Sequence, residues 1–236
     1  AVSLVDMAFL QQGDELLIPD NAYGPNKAFA SVELTRWGIA HRFYDPLDPA
    51  DLAAKIGPAT RLVWLEAPGS ITLEFPDLPA LVDVVREANA GRQRSIVTAL
   101  DNTWGAGIAF NAFDLGVDVS MQALTKYPSG GADVLMGSVV TRDRALHQQL
   151  LMTHMRLGLG VSGNDAELVL RGLNTMTLRY AAQDAATREL AAWMQAQAGV
   201  AQVLHPALPG SPGHDTWQRD AKAAACLFSV VFDERL

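Results

Sequence analysis

Cysteine is almost absent from this chain of 236 residues. The single one, Cys226, has no second cysteine with which to form an internal disulfide, and it fits a reducing, cytoplasmic setting. Long apolar runs are missing too. No stretch reaches the roughly 18 residues of a membrane span, and no charged-then-apolar signal opens the chain. Positive charge is scarce: 18 Lys and Arg stand against 26 Asp and Glu, a formal net charge of −8. That balance argues against nucleic acid or an anionic membrane as a general partner. The five histidines show no ligand spacing, so no metal site is indicated, and no Gly-x-Ser-x-Gly elbow marks a serine hydrolase.

Apolar residues make up 49% of the chain and charged ones 19%, enough to build a sizeable core. From residue 14 to about residue 140 short apolar runs alternate with amphipathic stretches. The expected strands are Glu15–Ile18, His41–Tyr44, Leu62–Leu65, Ile96–Leu100, Val119–Leu124 and Val134–Thr141. Helical patterns lie between them, such as Lys27–Trp37 and Leu78–Ala90, the second started by the Pro76-Asp77 turn. Such alternation predicts an α/β fold, a mostly parallel sheet with helices on both faces. A Gly-rich stretch, Gly158 to Gly163, lacks a following lysine and reads as a connector. Beyond it come a long helical region, a turn-rich segment at 205–214 and a last strand, the entry to a smaller α+β unit. The expected division is a large domain over 1–172, then a connecting helix and the start of a small domain over 173–236. Ala1 leads directly into a helical pattern with no cap, and the last strand ends close to residue 236, so the sequence is expected to be an internal portion of a longer protein.

In a parallel sheet, ligands bind beyond the carboxyl ends of the strands. Those ends carry Pro19-Asp20-Asn21-Ala22-Tyr23-Gly24, Glu66-Ala67-Pro68-Gly69-Ser70, Asp101-Asn102-Thr103-Trp104 and Thr125-Lys126. An acid and an amine delivered into one crevice from neighbouring strands suit pyridoxal phosphate (PLP). The amine of Lys126 would take the aldehyde, and the carboxylate of Asp101 would keep the pyridine nitrogen protonated. Each residue also has a plainer reading. Lys126 alone could be a solvated lysine, Asp101 a turn acid or helix cap, and Tyr23 a turn aromatic. Thr125 could donate to a phosphate or only pin its turn, and Glu66 could be a buried structural carboxylate. The order and spacing of Asp101 and Lys126 favour the joint reading, in which the lysine is desolvated on a strand edge.

At these residues the sequence resembles the PLP enzymes of cysteine and methionine metabolism, the trans-sulfuration group. Matching blocks run almost end to end: Gln12-Gly13-Asp14, Ala22-Tyr23-Gly24, Glu66 to Ser70, Asp101 to Trp104, Thr125-Lys126-Tyr127, Arg171-Gly172-Leu173 and His205 to Leu208. Relatives that work at the γ-carbon usually carry another aromatic in place of Trp104, and a serine where Ala123 stands. The chain is therefore similar to the β-cleaving branch, the cystathionine β-lyases. The resemblance implies the type I PLP fold, with an aspartate-aminotransferase-like large domain. It implies an amino-acid thioether substrate, L-cystathionine, converted to homocysteine, pyruvate and ammonia, and a homotetramer built from dimers. By the same resemblance Lys126 holds PLP and moves the α-proton, and Asp101 pairs with the pyridine nitrogen. Tyr23 stacks on the ring and assists proton transfer, and Thr125 contacts the phosphate. The turn Ser129-Gly130-Gly131-Ala132-Asp133 departs from the usual Gly-His-Ser-Asp. The resemblance also places the phosphate-binding glycine loop before Ala1 and the arginine for the substrate carboxylate beyond Leu236.

Overall fold

The computed structural model describes residues 1–233; the last three residues of the expected small domain, 234–236, lie outside the described residues. Six strands form one sheet: β1 (Glu15–Pro19), β2 (Ala40–Tyr44), β3 (Thr60–Glu66), β4 (Val97–Asp101), β5 (Val119–Ala123) and β6 (Gly137–Thr141). Their order is β2-β1-β3-β4-β5-β6. All neighbours are parallel except β6, which runs antiparallel to β5. The expected mostly parallel sheet is present, and the reason is visible strand by strand. On β1, Leu16 and Ile18 face one core cluster and Leu17 the other; on β3, Leu62 and Trp64 divide from Val63 and Leu65 in the same way. A strand buried on both faces reads as a continuous apolar run, and each fully buried Leu or Ile contributes about 1.5–3 kcal/mol.

Helices cover both faces. One is packed by α1 (Val2–Phe9), through Leu4, Val5, Ala8 and Phe9, and by α2 (Gly24–Phe29) with its π-helical continuation Ala30–Leu34. The other is packed by α3 (Pro49–Lys55) through Leu52 and by α4 (Leu78–Ala88) through Leu78, Leu81, Val82 and Val85. Asp77 caps α4 as expected, its carboxylate accepting from the backbone N–H of Ala80 at 3.0 Å.

The second half is helical: α5 (Arg144–Leu157), α6 (Gly163–Leu173) and the long α7 (Met176–Gln195). The Gly-rich stretch is a connector between two caps. Gly158 closes α5 in a left-handed conformation, and the Ser162 hydroxyl accepts from the N–H of Asp165 to open α6. A two-stranded antiparallel sheet follows, β7 (Val200–Leu204) with β8 (Ser229–Phe232), and α8 (His214–Asp220) lies between them in sequence. Trp217, Ala224 and Ala225 enter the same core cluster as α4, so this segment packs onto the main sheet's hydrophobic interior.

Candidate active site

Because β1, β3, β4 and β5 are parallel, their carboxyl ends open on one edge. Asp101 is the last residue of β4. Its Oδ1 accepts from both the N–H (3.0 Å) and the hydroxyl (2.5 Å) of Thr103, and that hydroxyl in turn accepts from the N–H of Ala123 at 2.9 Å. The ends of β4 and β5 are thereby welded through one threonine. Burial raises the Asp101 carboxyl above its usual range, and the two Thr103 donors work against that rise. Among the described residues no hydrogen bond engages Oδ2.

Tyr23 follows β1 in the loop that opens α2. Its backbone N–H donates to Oε2 of Glu66 at 2.8 Å, while its ring is 48% exposed at the crevice. Glu66 ends β3 directly opposite Asp101 in the strand register and also accepts from the Ser70 hydroxyl through Oε1 at 2.7 Å. Beyond β3 the chain passes a cis Ala67–Pro68 bond and then Gly69. A Cβ on Gly69 would lie 2.1 Å from Nδ2 of Asn21, so only glycine lets the two loops meet. Ile71 and Leu73 adopt left-handed φ values of 72° and 55°. That conformation is costly for a branched side chain and is typically stored at functional edges.

Lys126 lies in the turn after β5 and is exposed; no hydrogen bond or ion pair engages its Nζ among the described residues. The desolvated setting expected for this lysine is not what the structure shows. Thr125 pins the turn: its hydroxyl donates to the carbonyl of Met136 (3.2 Å) and accepts from that residue's N–H (3.1 Å). Tyr127 anchors the other side. Its hydroxyl donates to Sγ of Cys226 at 3.0 Å and accepts from that residue's N–H, and its ring packs on Tyr180 with centroids 4.8 Å apart. Burial pushes the Tyr127 phenol far above its usual range.

Three positioning residues were not found by reading the sequence for chemistry. Thr103 was legible only as part of a motif block. Arg179 on α7 donates to the carbonyls of Tyr127 and Gly172, both at 2.8 Å, and so clamps the lysine turn from 52 residues away. Gly172 lets α6 approach that turn, since a Cβ there would fall 2.1 Å from the carbonyl oxygen of Pro128. Trp104 and Ala123 also belong to this neighbourhood. Trp104 is buried edge-on against Phe75 (6.3 Å), and its carbonyl accepts from Tyr180, while its indole N–H has no partner.

The family model of the Cys/Met metabolism PLP-dependent enzymes matches residues 1–236. The chain belongs to that family. It is 39% identical over 236 residues to cystathionine beta-lyase MetC of Escherichia coli (strain K12), covering 100% of this chain and 58% of the relative. It is 33% identical over 233 residues to the L-alanine/L-glutamate racemase of Wolbachia pipientis wMel, covering 99% of this chain and 56% of that protein. The crystal structure of cystathionine gamma synthase from Xanthomonas oryzae pv. oryzae, solved with aminoacrylate and cysteine, superposes with a TM-score of 0.92 at 31% identity. That match covers 98% of this chain and 58% of the other. The chain thus spans somewhat over half the length of the relatives it matches.

PLP is the cofactor of this family. The residues present fit its ring and aldehyde ends. Asp101 offers an unengaged buried-edge acceptor, Tyr23 an exposed flat face and Lys126 an unengaged amine on the same strand edge. On the phosphate side the structure offers Thr125, whose hydroxyl here serves Met136. No helix among the described residues is long and apolar enough to cross a membrane.

Proposed function

We propose that the protein is a carbon–sulfur β-lyase that cleaves L-cystathionine to homocysteine, pyruvate and ammonia. When bound, PLP supplies an electron sink for the bond broken at the substrate's α-carbon. The chain's own residues do the rest. Lys126 would hold the cofactor through its amine, and as a free amine it would take the α-proton and return it to the departing thiolate. Asp101 presents an anionic oxygen to the ring nitrogen and so keeps that nitrogen protonated. Tyr23 packs its exposed ring on the cofactor, and its hydroxyl assists the proton transfer. Thr125 contributes on the phosphate side, sharing or giving up its bond to Met136.

The observation that carries the reading is the convergence of Asp101, Tyr23 and Lys126 on one sheet edge in a chain 39% identical to a cystathionine β-lyase. Trp104 and Ala123, the β-type residues by resemblance, support β- over γ-cleavage. A γ-lyase or γ-synthase is the second reading, favoured by the fold match to a γ-synthase. Product analysis of the full-length protein with cystathionine separates the two. Pyruvate with homocysteine is expected, whereas 2-oxobutyrate with cysteine would overturn the β-assignment. Lys126→Ala should abolish the visible absorbance that PLP acquires on the protein; its persistence unchanged would remove Lys126 from the mechanism.

A homotetramer assembled from dimers is part of the same proposal. Exposed apolar side chains on α5, α6 and α7, among them Leu151, Met155, Leu170, Leu178, Leu190 and Trp193, support it, since each is available for contact between subunits. Light scattering on the full-length protein is expected to give four chains per particle. A monomer would refute that part of the proposal.

A further inference from the structure

Glu66 is unexplained by the roles assigned so far. It is a buried carboxyl group at the end of β3, 9% exposed, and burying a carboxyl group is costly. Its neighbour across the β3–β4 pair is another buried carboxyl group, Asp101. Two carboxylates so placed cannot both ionise cheaply. Glu66 also connects three of the loops that build the crevice. Oε2 accepts the Tyr23 N–H, Oε1 accepts the Ser70 hydroxyl, and the Asp101 strand end lies alongside.

We propose that Glu66 is a positioning residue of this site. Its carboxyl group sets the pose of Tyr23 and ties the loop after β1 to the loop after β3 beside the Asp101 strand end. The inference rests on the PLP reading of the site and goes beyond it, because it gives Glu66 a part in shaping the site through Tyr23.

The charge argument has two sides. Burial, and then the Asp101 charge, push the Glu66 carboxyl up to about 8; the Tyr23 and Ser70 donors oppose this. Asp101 is also raised by burial, and like Glu66 it is opposed by its donors, both from Thr103. A protonated pyridine nitrogen beside Asp101 favours the anion there still further. The other charged or titratable groups facing the pair are Tyr44 on β2, whose phenol is raised by burial and then by Glu66, and the Ala1 amine near Asp101. Neither supplies a fixed countercharge to Glu66. A neutral Glu66 still holds Tyr23, because a carboxyl oxygen accepts an N–H in either protonation state.

Two variants test this in the full-length protein, with PLP itself as the probe. Glu66→Gln keeps the neutral shape and an acceptor for Tyr23. It is expected to bind PLP within about threefold of wild type. Glu66→Ala leaves the Tyr23 N–H without its acceptor and should weaken PLP binding about tenfold. The proposal is overturned if both variants match wild type in affinity. It is equally overturned if Glu66→Gln weakens PLP binding as much as Glu66→Ala, because the acceptor that Gln keeps for the Tyr23 N–H would then not be what the site needs. A wild-type protein that takes up no PLP would instead sink the cofactor reading on which this rests, so the two failures are distinguishable. Circular dichroism of both variants separates a lost fold from a lost clamp.

Discussion

Thr103 uses one hydroxyl twice, donating to Asp101 and accepting from the N–H of Ala123. Thr103→Val preserves shape and β-branching but removes both roles at once. The Ala123 N–H then has no acceptor, and an unsatisfied buried donor costs about 1–3 kcal/mol. Asp101 loses a donor that stabilises its anion, so its carboxyl should move further up. Urea unfolding of the variant is expected to give a lower midpoint, together with weaker retention of PLP. An unchanged midpoint would mean that the hydroxyl does not join the two strand ends. At this scale the sequence was informative because the chemistry is local: Asp101, Thr103 and the lysine turn lie where apolar runs stop. The exposure of Lys126 was not legible, because it depends on which surfaces later elements cover.

At the scale of elements the sharpest test is where α6 meets the lysine turn. Gly172 sits in the last turn of that helix, and helix propensity alone predicts that alanine would stabilise it by roughly 1 kcal/mol. The contact reverses the sign. The added Cβ would fall 2.1 Å from the Pro128 carbonyl oxygen and 2.4 Å from that of Ser129, both fixed backbone. Forcing α6 away costs about 1–3 kcal/mol and shifts the turn that carries Lys126. Gly163→Ala at the start of the same helix meets open space and serves as the control. Gly172→Ala should lower the denaturation midpoint and PLP retention while Gly163→Ala leaves both at or above wild type; equal behaviour of the two would refute the clamp.

The same elements show why some structure was readable and some was not. β1, β3 and β4 lie within one or two residues of their expected bounds because burial on both faces fixes the pattern. β6 begins at Gly137, not Val134: Leu135 is 94% exposed, and the backbone of Met136 is engaged by the Thr125 hydroxyl. α5 went unread because Leu150 is its one buried residue, too few to set a period. α3 is short and declared only by its Asp48-Pro49 opening. The Arg179 clamp joins residues 52 apart, a relation that no local pattern encodes.

For the whole molecule, net charge and buried acids combine into a pH dependence. Asp6 on α1 is fully buried. Its Oδ1 accepts from the indole N–H of Trp64 at 2.8 Å and Oδ2 has no partner, so burial pushes its carboxyl up to about 7. With Glu66 at about 8, the folded protein holds at least two protons that the unfolded chain releases near its ordinary carboxylate range. Between those limits the native state binds more protons than the unfolded one, so stability falls as pH rises. The contribution is fully present at acid pH and is lost as the pH passes about 7 to 8. Opposing groups bound the window from below, His205 and Asp77 among them. Burial lowers His205, which resists protonation in the fold, and the Arg219 hydrogen bonds lower Asp77, whose contribution is lost on acidification. The wild-type denaturation midpoint should therefore be higher at about pH 6 than at about pH 8.5, with Asp6 accounting for about 1 kcal/mol of the difference. Asp6→Asn keeps an acceptor for Trp64 but cannot titrate. Its midpoint should change less between those two pH values; if it falls as steeply as wild type, Asp6 is not the buried acid responsible.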